Sequence, residues 1–388
     1  MTKRVARRLC FIVTSHVTAV TFLPGYLSEL RRRGWEVTLV CSPGPGLDAI
    51  AQAAGVTVHT VPMRRDPSPA RDVVSLLRLI VLLARLRPGV VVYATPKASF
   101  LGSIAASFAG VQVKIYELWG LRLETARGVT GSILRLIEKV TIRLSTSIVA
   151  NSDSLAHKAR SLGLLGKKSA VVLGAGSSHG VDTQHYSRIA DFSAVDEQTQ
   201  AFLNATEGLT VGFVGRLHPD KGIDTLVQAL DRCFKEGDVV RALIVGGDEG
   251  VSGSSLRTQL TTPVPVRFVG EVADPRPYLA RMDLLVLLSL REGFPNVVLE
   301  AAAMEVPALV SDSTGTVDSV IDRVTGYVVP TGDATAVAQR ISELSQDRDA
   351  RERLGGKARE RVVQQFAHST VLQAHVEHYG KVAKLDRD

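Results

Sequence analysis

Apolar residues recur along this chain in short bursts separated by polar turns. Residues 9–14 and 35–41 cluster them as strands do, and residues 26–33 between carry helical spacing and stop at Gly34, which suits the left-handed turn that ends a helix. That opening predicts a β-α-β unit. Further strands are expected at 89–93, 111–116, 146–150 and 170–173, with helices at 72–86, 131–144 and 154–162. The alternation then restarts, with strands at 210–214, 241–245, 266–269, 284–288, 308–311 and 326–329 and helices at 222–234, 275–281, 297–305 and 334–345. Alternation on this scale predicts an α/β chain of two doubly wound, Rossmann-like parallel-sheet domains. The Gly- and Ser-rich stretch GAGSSHGVDTQHYS, 174–187, reads as the linker between them. The expected bounds are 1–183 for the first domain and 184–365 for the second. Residues 351–384 read as strongly helical and charged, and 366–388 are expected as a C-terminal helix that runs back over the first domain.

A length of 388 residues with 45% hydrophobic content supports more than one core, as that reading requires. The longest apolar run, 76–86, contains Arg78 and Arg85, so no stretch has the unbroken length of a bilayer span. The N-terminal MTKRVARRLCFIVTS is basic and then apolar for only five residues, which predicts a first buried strand and a cytoplasmic chain. Cys10, Cys41 and Cys233 are scattered, without metal-ligand spacing or an even count, and are expected in the core. Charge changes the picture once it is divided. Of the net +7, residues 1–183 hold 24 Lys and Arg against 10 Asp and Glu, while residues 184–388 hold 22 against 29. The first domain therefore suits an anionic surface or a phosphate-bearing ligand.

In open parallel sheets, ligands lie beyond the carboxyl ends of the strands, so the loops after strands are where chemistry is expected. The loop after 210–214 reads GRLHPDKG and places Arg216 and Lys221 five residues apart at a helix entrance, a pattern suited to a diphosphate. On its own the pair is better read as two solvated cations in a surface turn. It lacks the G-x-x-x-x-G-K-[ST] phosphate loop, which argues against a nucleoside-triphosphate hydrolase. The loop after 284–288 reads REGFPNVVLE. Gly293 turns the chain, Pro295 stands at a helix start, and Asn296 and Val297 begin an apolar helix whose N-H groups suit an anionic oxygen. Glu292 precedes that turn and Glu300 follows one helical turn in. Carboxylates at both ends fit a ligand with hydroxylated rings on either side of a diphosphate, the shape of a nucleotide sugar.

The segments GRLHPDKG, IVGGDEG at 244–250, FVGEV at 268–272, EGFPNVVLE and GYVVPTGD at 326–333 occur in one order. This order resembles that of the family 4 glycosyltransferases, whose GT-B fold sets two Rossmann-like domains across a cleft. EGFPNVVLE matches the family's E-x7-E motif. The resemblance implies that Arg216 and Lys221 hold the donor diphosphate, that Glu292 lies beside the transferred sugar, and that Glu300 takes the ribose hydroxyls. It assigns Gly293, Phe294, Pro295, Asn296 and Val297 to the loop that offers N-H groups. It lays Val269 to Val272, with Gly270 and Val272, against the nucleobase. It further implies a retaining transfer by front-face attack, with a leaving-phosphate oxygen taking the acceptor proton and with UDP favoured over GDP. No Asp-x-Asp metal site follows a strand, so no metal or other cofactor is expected.

The resemblance extends to YATPKASFLG at 93–102 and YELWGLRLETARG at 116–128, and points to the branch acting on polyprenyl-diphosphate-linked saccharides in surface-polysaccharide assembly. Trp119 stands where many members carry a histidine. His16, Thr95, Lys97 and Trp119 are the acceptor-side candidates. Arg71, Arg78 and Arg85 recur every seven residues on one face of an apolar helix, which suits contact with an anionic membrane surface or an ordinary solvated edge. The partners implied are a nucleotide sugar, a lipid-linked saccharide and a membrane surface touched peripherally, not nucleic acid. Two other readings stay open: a nucleotide-sugar epimerase or hydrolase on the same fold, and a non-catalytic nucleotide-sugar-binding scaffold. A nicotinamide-dependent dehydrogenase is disfavoured because no G-x-G-x-x-G follows the first strand of either half.

Overall fold

A computed structural model describes residues 7–64, 66–188 and 195–384. The chain divides into two compact units, Met1–His179 with His368–Asp388 and Gly180–Ala367. The first crossing falls inside the expected linker.

The first unit runs β1 (Arg8–Ile12), α1 (His16–Phe22), α2 (Pro24–Arg32), β2 (Glu36–Cys41), α3 (Leu47–Ala54), β3 (Thr57–Thr60), α4 (Pro69–Leu86), β4 (Val90–Ala94), α5 (Pro96–Phe108), β5 (Val113–Leu118), α6 (Gly128–Leu144), β6 (Ser147–Ala150), α7 (Asp153–Ser161) and β7 (Val171–Val172). Its seven strands are all parallel, in the order β3-β2-β1-β4-β5-β6-β7, so the winding reverses between β1 and β4. Helices cover both faces. One core layer joins α2 and α3 to the sheet and the other joins α4, α5, α6 and α7 to it. Double-sided burial explains why the central strands read as unbroken apolar runs such as VVVYA, every residue of which is buried.

The second unit runs α8 (Glu197–Ala205), β8 (Leu209–Val214), α9 (Ile223–Lys235), β9 (Val240–Val245), α10 (Gly253–Gln259), β10 (Val266–Gly270), α11 (Arg276–Leu279), β11 (Leu284–Leu287), α12 (Asn296–Ala303), β12 (Ala308–Ser311), β13 (Gly326–Val329), α13 (Ala334–Gln346) and α14 (Arg348–Arg361). Its six strands are likewise parallel, in the order β10-β9-β8-β11-β12-β13, and the winding reverses between β8 and β11. One core cluster serves the unit.

Three expectations need correction. The helical segment 351–384 is not continuous. After α14 comes a wide turn, Val362–Phe366, then Ala367 in extended conformation, and α15 (His368–Val382) starts where the chain re-enters the first unit. No Gly or Pro marks the break in sequence, because the crossing of the chain imposes it. His16 is not a loop residue but opens α1, behind the Ser15 cap. Finally, α1, α3, β3, α5, α8 and α10 were not expected from the pattern. Of these, β3 is an edge strand with no buried residue, and α5, PKASFLGSIAASF, is rich in small residues because α4 and α6 close over it. The three cysteines are buried, and burial pushes their thiols up to about 12, 11 and 12 for Cys10, Cys41 and Cys233.

Helix α15 is held to the first unit by a polar group sunk in its core. The Tyr379 hydroxyl donates to Glu117 Oε1 at 2.6 Å, His375 Nδ1 lies 3.3 Å from the same oxygen, and the Tyr26 ring stacks on Tyr379 at 6.5 Å. Glu117 has no exposed surface, so each donor matters more than one at the surface would. Replacing Tyr379 with Phe takes the closer donor from this buried carboxylate. We expect a loss of about 1–3 kcal/mol, read as a lower urea midpoint with an unchanged slope; an unmoved midpoint would show that the bond is not what fixes α15.

Candidate active site

In the second unit the reversal between β8 and β11 opens the sheet edge where such folds bind ligands. The two loops singled out in sequence leave from these two strands. After β8, Gly215 to His218 lead into a short turn, Pro219–Lys221, and then α9. Gly222 links turn and helix with φ of 66°, and a Cβ there would lie 2.1 Å from the Leu288 carbonyl oxygen. Only glycine permits this approach, which brings the two loops together. After β11, Ser289 to Phe294 turn the chain into α12, with Pro295 as N-cap and Asn296 as first helical residue.

That contact sets the central interaction. Lys221 Nζ lies 2.6 Å from Glu292 Oε1, and the Ser289 hydroxyl donates to the same oxygen at 2.7 Å. Both charged side chains are about four-fifths shielded from solvent, so the pair is stronger than an exposed one. A second cross-link, Arg291 to Asp220 at 2.5 Å, ties the same loops. The loop after β12 braces them. Thr314 accepts from the Glu292 amide at 2.8 Å, while the Ser311 and Ser313 hydroxyls donate to the Ser289 carbonyl at 2.6 and 2.5 Å. Gly315, with φ of 77°, lets that loop pass where a Cβ would be 2.6 Å from the Glu292 carbonyl oxygen.

Arg216 does not join this group directly. It pairs with Glu249 on the loop after β9, and both partners are about half exposed. The two cations expected to act together thus reach from the β8 loop to opposite neighbours, and each carries an acidic partner. The Phe294 ring is buried against Phe366, 5.2 Å between centroids. Gly270 and Val272 lie at and beyond the end of the edge strand β10. Gly270 has φ of 91° and Val272 packs on the core.

Glu300 is only partly exposed. Protein packed around it pushes its carboxyl up to about 7, opposed by a hydrogen bond from the Tyr186 hydroxyl. Beside it, Arg276 chelates Asp274 through contacts of 2.6–3.0 Å and reaches His185 Nδ1 at 3.0 Å. Sequence reasoning missed Ser289, Asp220, Arg291 and Tyr186 as site residues. Asp220 and Arg291 lie inside the quoted motifs, but their pairing is visible only once the loops meet.

In the first unit the reversal between β1 and β4 carries a matching polar pair. Thr95 Oγ1 accepts from the Thr14 amide at 3.0 Å and lies 2.7 Å from Thr14 Oγ1. Thr95 has φ of 69° and ψ of 140°, a strained conformation for a residue with a branched side chain, held by these bonds at the start of α5. Lys97 is bound to Asp72 at 2.8 Å and to the Asp66 carbonyl at 2.6 Å. His16 sits against Gly44, whose missing Cβ makes room for the ring. Trp119 directly follows β5 and packs edge-on to Phe22 at 6.4 Å, with its buried indole N-H unpartnered among the described residues. It is a packing residue as much as a polar one.

With this geometry in view, comparison with known proteins is direct. Residues 195–361 match the family of glycosyl transferases group 1, and residues 18–176 match the glycosyl transferase 4-like domain. The chain is 34% identical over 357 residues to the capsular polysaccharide biosynthesis glycosyltransferase CapM of Staphylococcus aureus, covering 92% of each. It is 25% identical to the N,N'-diacetylbacillosaminyl-diphospho-undecaprenol alpha-1,3-N-acetylgalactosaminyltransferase of Campylobacter jejuni, covering 75% of this chain and 76% of that one. Among solved structures, Anabaena HepE in complex with UDP and glucose superposes with a TM-score of 0.77 at 20% identity, covering 96% of this chain and 99% of that one, a likeness of fold. The chain belongs to the family 4-like glycosyltransferases of GT-B fold.

The raised Glu300 value gives a pH test whose sign is fixed. A carboxyl whose folded value lies above its ordinary 4.5 favours the neutral form when folded. Its stabilising effect is therefore full below that ordinary value and is lost as pH rises through about 7. Glu300→Gln cannot ionise. Relative to the parent, its melting temperature should rise between about pH 5 and about pH 8; a difference that stays constant with pH would contradict the buried-acid account.

Proposed function

We propose that this glycosyltransferase moves a sugar from a nucleotide sugar, with UDP favoured, to a hydroxyl of a polyprenyl-diphosphate-linked saccharide during surface-polysaccharide assembly, with retention at the transferred carbon. The observation that carries this reading is the partly buried Lys221–Glu292 pair at the β8/β11 reversal, beside the start of α12. A diphosphate entering there competes for Lys221, and its charge is favoured by the N-H groups and dipole of the helix start. Once Lys221 turns to the phosphate, Glu292 becomes available to the sugar hydroxyls. Arg216 makes the same exchange from Glu249, an exposed partner that holds it weakly. Glu300 takes the ribose hydroxyls.

The reaction breaks the bond between the sugar's anomeric carbon and the diphosphate oxygen and forms one from that carbon to the acceptor oxygen. The electron pair of the broken bond goes to the diphosphate, whose growing charge Lys221 and Arg216 stabilise. The acceptor's proton passes to a leaving-phosphate oxygen, so the chain needs no separate base, and Lys221 and Arg216 take the charge-stabilising place of a metal ion. The name of the Campylobacter relative, which includes a diphospho-undecaprenol carrier, supports a lipid-linked acceptor, and the UDP bound to HepE supports the nucleotide. The basic first half supports work at an anionic cytoplasmic membrane surface, peripherally attached.

Incubation with UDP- and GDP-sugars and a short-chain polyprenyl diphosphate saccharide, followed by mass analysis, tests this. The acceptor should gain the mass of one sugar residue, and Lys221→Ala or Glu292→Gln should lower kcat/KM by about 10²–10³. Free sugar without acceptor product would favour a hydrolase, an altered nucleotide sugar an epimerase, and tight nucleotide binding without turnover a scaffold. Each of those outcomes overturns the proposal.

A further inference from the structure

The Gly- and Ser-rich stretch 174–187 ends, inside the second unit, in a turn that carries His185 and Tyr186. Asp182 Oδ1 accepts from the Gln184 and His185 amides, both at 3.0 Å, and the Tyr186 amide donates to the Asp182 carbonyl at 2.9 Å. Aspartate favours such turns because its side chain bonds the backbone just ahead of it. The far end of the turn is gripped from outside. Arg276, the first residue of α11, donates through Nη1 to His185 Nδ1 at 3.0 Å and directs Nε and Nη2 to Asp274 at 2.6–3.0 Å. A guanidinium only donates, so His185 Nδ1 is the acceptor and the neutral ring carries its proton on Nε2. The His185 and Tyr186 rings meet edge-on, 5.4 Å between centroids, and Tyr186 packs against the core of the unit.

From this anchored turn the Tyr186 hydroxyl is hydrogen-bonded to Glu300. Burial, and after it the nearby Glu300 carboxyl, push the phenol above its ordinary range, so the hydroxyl keeps its proton and is the donor. Glu300 stands in the second turn of α12 on a flexible side chain, and freezing such a side chain when a ligand arrives costs conformational entropy. A carboxylate offers about four lone-pair positions, so one bond from Tyr186 leaves acceptor capacity for two neighbouring hydroxyls. Holding the carboxyl in advance removes its ordering from the binding step.

We propose that Tyr186 is a positioning residue of the donor site: its hydroxyl fixes the Glu300 carboxyl for the two ribose hydroxyls, and Arg276, by gripping His185, fixes Tyr186. The proposal rests on the reading that Glu300 takes the ribose hydroxyls, and it adds the groups that aim that carboxyl. Tyr186 acts through Glu300 on the ribose, away from the bond that breaks, so its effect falls on nucleotide affinity and on discrimination between a ribose and a sugar without hydroxyls.

Isothermal titration of the full chain with UDP and with GDP, each beside its 2′,3′-dideoxy counterpart, reads that discrimination without acceptor or turnover. The parent should bind the better of the two ribonucleotides roughly thirty-fold more tightly than its dideoxy form. Tyr186→Phe keeps the ring and its packing, and should cut this preference by about tenfold while affinity for the dideoxy form stays the same. Arg276→Gln should shift the preference in the same direction, and it carries the test if Tyr186→Phe fails to fold by circular dichroism. A folded variant that keeps the parent's preference would overturn the proposal. So would one that loses both forms of the nucleotide equally, because Tyr186 would then support the fold without aiming Glu300. A parent that binds the ribose and dideoxy forms alike, or neither, would instead overturn the ribose reading of Glu300, and the proposal with it.

Discussion

The Lys221–Glu292 ion pair is the constraint around which the second unit's candidate site is arranged. It forms only because Gly222 lets the loop after β8 approach the end of β11, and because hydroxyls from the loop after β12 hold Ser289 in place to donate to the same carboxylate oxygen. A partly desolvated pair of this kind is costly to break by removing one partner and far less costly to exchange for an equivalent partner. That property suits a site meant to receive a doubly charged ligand. The resting charge is balanced, and in the proposed reaction an arriving diphosphate would substitute for the glutamate instead of meeting bare cations.

The first unit shows the same economy at its own sheet reversal, where two threonines bond across β1 and β4 and strain the backbone at Thr95. Its C-terminal helix is fixed from within, through the sunken Glu117 and its Tyr379 and His375 partners. The outer helices follow a different rule. Where α4 and α6 turn outward, they expose large apolar residues, among them Leu77, Ile133 and Leu136.

Much of this was legible in the sequence for a physical reason. Parallel strands buried on both sides must be apolar throughout, so β1, β4, β8, β9, β11 and β12 stood out, and the loops leaving them drew attention to Arg216, Lys221, Glu292 and Glu300. What stayed hidden depends on neighbours. The edge strand β3 buries little, and α5 is made of small residues that its flanking helices require, so neither carried a strong period. The break at Ala367 has no local breaker and reflects where the chain changes units. The acidic partners of Arg216 and Lys221, the hydrogen bond from Tyr186 to Glu300 and the packing of Trp119 are tertiary facts that spacing alone does not encode.

The most direct measurement is a crystal structure of this protein soaked with UDP or GDP. The account predicts the diphosphate at the start of α12, with a phosphate oxygen within hydrogen-bond distance of Lys221 Nζ, Glu292 released from that lysine, and the ribose hydroxyls at Glu300. A nucleotide bound elsewhere while the Lys221–Glu292 pair stays closed would contradict it.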